Sequence, residues 1–310
     1  MVSAHEPDLS AMESALIQRI RLFERTRRRR RRLALGGALS LVIAGALVVS
    51  PMVLPGEDAA VAVTPPPLTL TAPTTDTADT FALLRHALQS PSGPVEAVRE
   101  STSIGWYARI DGDTMSLEDT PMIPQLIRTQ WDRDLSGRVT FQVPGAEDPG
   151  EPEPSFEHAV ESSSWTLLDE FEFAPGEFDT PLTEIDGDTP EEMRAALAAY
   201  GREEDADAAR TLDLIAGVLA HWTLTNAQHG ALLRMLEDSG QLDAAGTTHD
   251  RAGRPVVAFR TRSPGGDFEQ LLLTSPETGR IVGLETIRTT AIGNVPAGTV
   301  LSYTLWETAP

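Results

Sequence analysis

The apolar positions of this chain change their pattern sharply along its length, and the longest uninterrupted run comes early. Leu33 to Leu54 (LALGGALSLVIAGALVVSPMVL) carries no charge over 22 residues. At ~1.5 Å per residue a helix of that length covers ~33 Å, about one bilayer core. The pattern predicts a transmembrane helix. Six consecutive arginines, Arg27 to Arg32, stand directly before it, and such a cluster stays on the cytoplasmic side. The chain is therefore expected to be a single-pass cell-membrane protein, partnered with the lipid bilayer through Leu33 to Leu54, with a cytoplasmic N-terminus and the bulk of the chain extracytoplasmic. A cleaved signal peptide is the competing reading. Its charged and apolar regions would both be long for that role, although Ala60-Val61-Ala62 offers a small-residue cleavage site.

Before the run, Leu9, Met12, Leu16, Ile20 and Phe23 recur at helical spacing behind a Ser10/Glu13 capping box. Residues 1–32 thus form an amphipathic, Arg-rich cytoplasmic segment, suited to the bilayer surface or to a cytoplasmic partner. Gly36, Ser40 and Ala44 make a small-residue stripe within residues 33–54. Residues 55–79 are rich in Pro and Thr, with Pro65 to Pro67 in succession, and read as an extended stalk whose later part could form an edge strand. The folded domain is expected over residues 80–310.

Within that domain the periodicity alternates between strand and helix. Thr80 to Gln89 has helical spacing, while Ser103 to Ile110, Gly137 to Val143 and Ser164 to Phe173 are apolar or aromatic runs bounded by turn formers. Pro144 to Pro154, with four prolines and four acidic residues, reads as a solvated loop. Three helices follow. Thr189-Pro190-Glu191-Glu192 opens the first, running to about Tyr200; Ala206 to Trp222 is the second, with Ile215, Val218, Leu219 and Trp222 on one face; Asn226 is expected to cap the third, ending at Gly240. Strand patterns then return at Pro255 to Arg262, Phe268 to Thr274, Arg280 to Thr289 and Val300 to Glu307. In the last of these Leu301, Tyr303 and Leu305 alternate with Ser302 and Thr304, which predicts one buried face. Strands, then helices, then strands, without regular alternation, place the domain in the α+β class with an antiparallel meander and a helical insertion packed on one face.

Charge is partitioned as unevenly as hydrophobicity. Every basic residue is Arg, and residues 1–32 hold nine of them against four carboxylates, a balance of +5, so the rest of the chain carries −26 of the total −21. That excess argues against nucleic acid as a partner. The absence of Cys excludes disulfides, thiolate catalysis and cysteine metal sites. No nucleotide-binding, zinc-protease, nucleophile-elbow or calcium-loop pattern occurs, and the six His residues lack metal-ligand spacing. No cofactor and no enzymatic activity is expected. Asp111-Gly112-Asp113 and Asp186-Gly187-Asp188 are explained by turn chemistry, though such turns can hold a divalent cation weakly. Trp106, Trp131, Trp165 and Trp306 fall in or beside strand patterns and are candidates for lining an apolar ligand cavity. Arg138, Arg251 and Arg254 are candidate anion contacts, with pairing to nearby carboxylates as the plainer role.

The order of these features resembles an actinobacterial single-pass membrane-anchored family of unknown function, named by locus tag and often encoded near sigma-factor genes. The residues that carry the resemblance are Trp106, Trp131 with Gly137-Arg138, Pro190 to Leu197, Asp250-Arg251-Ala252-Gly253-Arg254 and Leu271 to Gly283. The resemblance implies a curved antiparallel sheet similar to LolA/MucB-like lipoprotein-carrier folds, a half-barrel, and a link to sigma-factor-dependent envelope signalling. It implies no catalytic residues. The expected function is a membrane-anchored extracytoplasmic binding or sensor module for an envelope lipid, peptide or protein. A lipid or lipoprotein carrier, and a hydrolase using carboxylates, are the alternatives.

Overall fold

The computed structural model describes residues 64–90, 93–108, 110–111, 116–117, 124–145, 164–201 and 206–306. The predicted cytoplasmic segment 1–32, the predicted span Leu33 to Leu54, most of the acidic loop Pro144 to Pro154 and the tip of the Asp111-Gly112-Asp113 turn lie outside the described residues. No helix among the described residues is long and apolar enough to cross a membrane.

Among the described residues there are four helices, α1 (Thr77–Ala87), α2 (Pro190–Ala199), α3 (Ala208–Leu219) and α4 (Asn226–Ser239). The strands are β1 (Glu100–Tyr107), β2 (Ile110–Asp111), β3 (Ser116–Leu117), β4 (Gln125–Trp131), β5 (Gly137–Pro144), β6 (Trp165–Phe173), β7 (Asp243–His249), β8 (Pro255–Arg262), β9 (Phe268–Thr274), β10 (Ile281–Arg288) and β11 (Val300–Trp306). Nine of them form one open antiparallel sheet in the order β6-β5-β4-β1-β11-β10-β9-β8-β7, and β2 and β3 pair separately. The fold is α+β. Two meanders, β4-β5-β6 and β7 to β11, are joined through β1, which pairs with β4 on one side and β11 on the other. The chain leaves the sheet at one edge, β6, and re-enters at the other, β7. That crossing carries α2, α3 and α4 over a single face, which is why the helical insertion forms one layer.

The cores follow from strand alternation. In β9, Leu272 faces the helices while Leu271 and Leu273 face the other way, and both sides are buried. The helix-covered core includes Phe81 stacked on Phe259 at 4.2 Å, together with Met193, Leu197, Ile215 and Leu232. The opposite core is built from Ile104, Trp106, Leu126, Tyr303 and Leu305 among others, with Leu68 and Leu70 packed against it. Leu301, Tyr303 and Leu305 are buried and Ser302 and Thr304 are not, as the alternation predicted.

Local signals set the helix ends. Thr189 and Glu192 form the predicted capping box, with Pro190 in the first turn. At α4 the cap is one residue earlier than expected: Thr225, not Asn226, accepts the Gln228 N–H, and Gln228 Oε1 accepts the Thr225 N–H. Asn226 is freed by this for tertiary work. Its amide nitrogen donates to the carbonyls of Leu88 and Ser90, and its Oδ1 accepts from Arg280. The α4 helix ends at Gly240 in the left-handed conformation. Gly279, also at positive φ, lets the β9–β10 turn approach α1 so closely that a Cβ there would lie 2.2 Å from the Leu84 carbonyl oxygen.

Described residues upstream of residue 80 also join the fold. Thr71 forms an isolated bridge with Thr247 on β7, and Asp76 caps α1, which begins at Thr77, three residues before its expected start. At the other edge, β6 is largely exposed, and it carries Leu167, Leu168, Asp169, Glu170 and Glu172.

Candidate functional site

The structure divides the four nominated tryptophans between the two faces of the sheet. Trp106 stacks on Tyr303 with ring centroids 5.9 Å apart, in the core opposite the helices, and Trp165 packs half-buried against that core. Trp131 and Trp306 belong to the helix-covered core. The four therefore do not line one cavity. The helix-covered face is filled by side chains, with Met193, Leu197, Val218 and Leu232 at zero exposure.

Each nominated arginine is engaged with a carboxylate. Arg138 on β5 reaches Glu170 at 3.2 Å and Glu172 at 3.0 Å across the β5–β6 pair, an exposed arrangement of small energetic weight. Arg254, in the β7–β8 turn, pairs with buried Asp250 at 2.7 Å and donates to the carbonyls of Trp306 and Val282. Arg251 is the most enclosed: it pairs with Glu285 at 2.8 Å, donates to the Pro66 carbonyl at 2.8 Å and lies 5.0 Å from the Tyr303 ring centroid. Burial holds the Glu285 carboxyl above its ordinary range, and Arg251 opposes that effect.

A feature that the sequence reading did not select is centred on Arg99, just before β1. Its guanidinium lies 5.3 Å from the Trp131 ring centroid and 5.2 Å from that of Trp222, and the two indoles meet edge to face. Such stacking on aromatic faces holds a planar cation in place. One end of the guanidinium donates to the Thr183 carbonyl and pairs with Glu184 at 2.5 Å. Trp131 is fixed in turn by its indole N–H, which donates to the His221 carbonyl, and by stacking on Phe178. The backbone is pinned too, since Val98 and Thr223 bridge through two hydrogen bonds. No local pattern distinguishes Arg99; it is selected only by what the fold brings beside it.

Arg99 stands on the wall of an open groove of about 1310 Å³. The groove runs between the end of α1, the segment 93–99, the loop 184–190 and α4, with Trp222 among its lining. Val95, 97% exposed, projects from its rim. Two carboxylates of this region are matched, Glu237 by Arg85 and Glu184 by Arg99. Glu96, Asp186, Asp188 and Asp238 also line the groove or its edge and are exposed, as are the lining cations Arg133 and Arg234. The Asp186-Gly187-Asp188 turn leads into the α2 cap, where the Asp188 N–H donates to Glu192. Among the described residues no group of three His, Asp or Glu side chains is arranged to hold a metal ion.

Two titratable groups lie away from the groove, one fully buried and one half-buried. His229 is fully enclosed, its Nδ1 accepting the Ile281 N–H, and burial keeps its pKa well below the ordinary histidine value. Asp213 on α3 accepts a 2.7 Å hydrogen bond from Gln270 on β9, and burial raises its pKa to about 7. The folded protein therefore holds a proton at Asp213 that the unfolded chain has released, over the window from about pH 4 to about pH 7. Stability is expected to fall across that window as pH rises, by at most about 1.4 kcal/mol per pH unit from this group. Asp213→Asn should remove that slope in urea titrations between pH 4.5 and 7.5 and stabilise the protein at the upper end. Parallel curves for the two proteins would contradict it.

No protein-family model, no curated protein and no solved structure matches the chain.

Proposed function

We propose that the chain is a single-pass membrane-anchored binding module, cytoplasmic at its N-terminus, and that its extracytoplasmic domain takes an extended basic peptide segment of another envelope protein into the groove beside Arg99. The anchor rests on the uncharged run Leu33 to Leu54 behind Arg27 to Arg32. The groove's charge carries the peptide reading. Its lining sets Glu96, Glu184, Asp186, Asp188 and Asp238 against Arg85, Arg99, Arg133 and Arg234, a local excess of one negative charge, on a chain whose residues beyond 32 total −26, so it is chiefly the long-range field that favours a cationic ligand, with the exposed carboxylates placed to receive it. Val95, on the rim, offers apolar contact beside those charges. Arg99 serves as a positioning residue, since it fixes Glu184 against Trp131 and Trp222. The module binds; no reaction is assigned to it.

Kinship with LolA/MucB-like half-barrels is a proposal about the sheet. Support comes from Arg254, which reaches from the start of β8 to carbonyls on β10 and β11. With strands about 4.8 Å apart, β11 lies farther from β8 in a flat sheet than an arginine side chain extends, so the reach favours a sheet that curls. Participation in sigma-factor-dependent signalling would pass through residues 1–32.

The binding test uses full-length protein in detergent micelles and labelled ten-residue peptides that differ only in carrying Lys or Glu at alternate positions. The basic peptide should bind at least tenfold more tightly, weaken as salt rises, and lose that advantage in Glu96→Gln/Asp186→Asn/Asp188→Asn. Equal affinity for the two peptides overturns the groove assignment. Topology is checked separately, because protease added to intact cells should degrade the chain beyond residue 55, and complete protection overturns the anchor.

A further inference from the structure

The prolines and leucines that follow the predicted span do more than connect it to the fold. Leu68 and Leu70, two residues apart, place their side chains against the core opposite the helices. The backbone of this strap follows the β7 edge: Thr71 and Thr247 exchange N–H···O bonds of 2.9 and 3.0 Å, Thr248 Oγ1 donates to the Thr69 carbonyl, and Arg251 donates to the Pro66 carbonyl. Gly246 makes room. It sits at φ +128°, at a bulge in β7, and a Cβ there would lie 1.9 Å from the Thr71 carbonyl oxygen.

The attachment is thin in comparison with the sheet it covers. Prolines 65–67 bring no N–H donors, the Leu68 N–H turns to the Glu285 carboxylate, and among the described residues Thr71 makes the strap's one backbone bridge to β7, whereas β8 pairs with the other side of β7 along nearly its whole length. Most strap residues are exposed. A strand edge shielded so lightly is a template for pairing with another chain.

We propose that the β7 edge is a strand-accepting site held closed in cis by residues 66–71, and that its occupant in trans is an extended, uncharged segment with aliphatic side chains two residues apart. The strap defines the register. Side chains at the positions of Leu68 and Leu70 enter the apolar face, and the incoming backbone pairs with β7 at and beyond Thr247. A competitor that pairs with more of β7 gains hydrogen bonds that the proline-led strap does not make, and cis occupancy lowers its apparent affinity by the fraction of closed molecules.

The chain's lack of cysteine makes the test clean. T71C/T247C introduces two thiols at directly opposed antiparallel positions, within the span that a disulfide bridges. The probe is a fluorescein-labelled peptide of the strap sequence, Thr-Pro-Pro-Pro-Leu-Thr-Leu-Thr, added to full-length protein in micelles. The reduced pair should bind it saturably and the oxidised pair at least tenfold more weakly, with a melting curve showing that the oxidised protein is folded. L68D/L70D, which weakens the cis strap, should bind at least fivefold more tightly than the unaltered chain, and a probe with both leucines replaced by Asp should not bind. In hydrogen exchange of the unaltered chain, the Thr71 and Thr247 amides should exchange at least a hundredfold faster than those of Ala258 and Leu272. Equal binding by oxidised and reduced forms, no binding to L68D/L70D, or exchange of Thr247 at the rate of Leu272 each overturns the proposal.

Discussion

Truncating Trp131 to alanine is expected to lower the unfolding free energy by about 4 kcal/mol, the upper part of the range for removing a large aromatic side chain from a core. The residue is 4% exposed, stacks on Phe178 at 5.4 Å, meets Trp222 edge to face at 5.0 Å and donates its indole N–H to His221. All three contacts lie on the helix-covered face, so β4, the loop carrying Phe178 and the α3–α4 connection would lose a common support. Arg99 would lose one of its two aromatic partners as well, and with it the fixed position of Glu184. Urea denaturation followed by tryptophan fluorescence and far-ultraviolet circular dichroism measures the loss. A change below 1 kcal/mol would show that this cluster is not the support described. Trp131→Phe, which keeps ring stacking but not the N–H, should cost about half as much.

Removing Arg251 should be nearly as damaging, for a different reason. Its partner Glu285 is 1% exposed and sits opposite Tyr303 across the β10–β11 pair. Arg251→Met leaves a buried carboxylate without its cation, which typically costs about 3–5 kcal/mol, while replacing both members by apolar residues of similar volume is often neutral. Arg251→Met/Glu285→Leu is therefore expected to recover most of the loss, and a double variant no better than the single one would contradict the account. The pH dependence has a defined sign. The folded-state pKa of Glu285 is already raised by burial, and without Arg251 it rises further. The single variant is then least impaired at low pH, where the carboxyl is protonated in both states, and loses stability as pH increases through the carboxyl's unfolded value.

The segments readable in advance were those whose signals are local. Pro255–Arg262 and Phe268–Thr274 coincide with the predicted strands residue for residue, because each is a β-rich run ending at turn formers. The Thr189/Glu192 cap is equally self-contained. Two strands of the large sheet escaped, as did the short β2–β3 pair. Asp243–His249 (DAAGTTH) has almost no apolar content and exists because β8 pairs with it on one side and Thr71 on the other. Gln125–Trp131 carries Arg128 and Gln130 among its apolar residues and is held between β1 and β5.

The strap was legible in part: three prolines in a Thr-rich run read as a stalk, yet its later part was open to an edge-strand reading, and Thr71 does bridge β7 there. The spacing of Leu68 and Leu70 was the available hint. The separation of the tryptophans was legible in part: Trp306 has the opposite parity to Leu301, Tyr303 and Leu305, so it had to face away from Tyr303 and from the Trp106 that stacks there. Arg99 left no trace in the sequence because its partners, Trp131, Thr183, Glu184 and Trp222, are distant along the chain.

The free margin at β6 bears on how the protein behaves in concentrated solution. Two copies meeting there would bring Asp169, Glu170 and Glu172 of each face to face, three carboxylates against one Arg138, and like charges directly opposed across strands repel. Leu167 and Leu168, 54% and 45% exposed, supply the stickiness which that repulsion holds in check. Added salt screens that repulsion and strips away the safeguard, so turbidity should develop as ionic strength rises, without unfolding, and low-salt buffers should keep the protein dispersed.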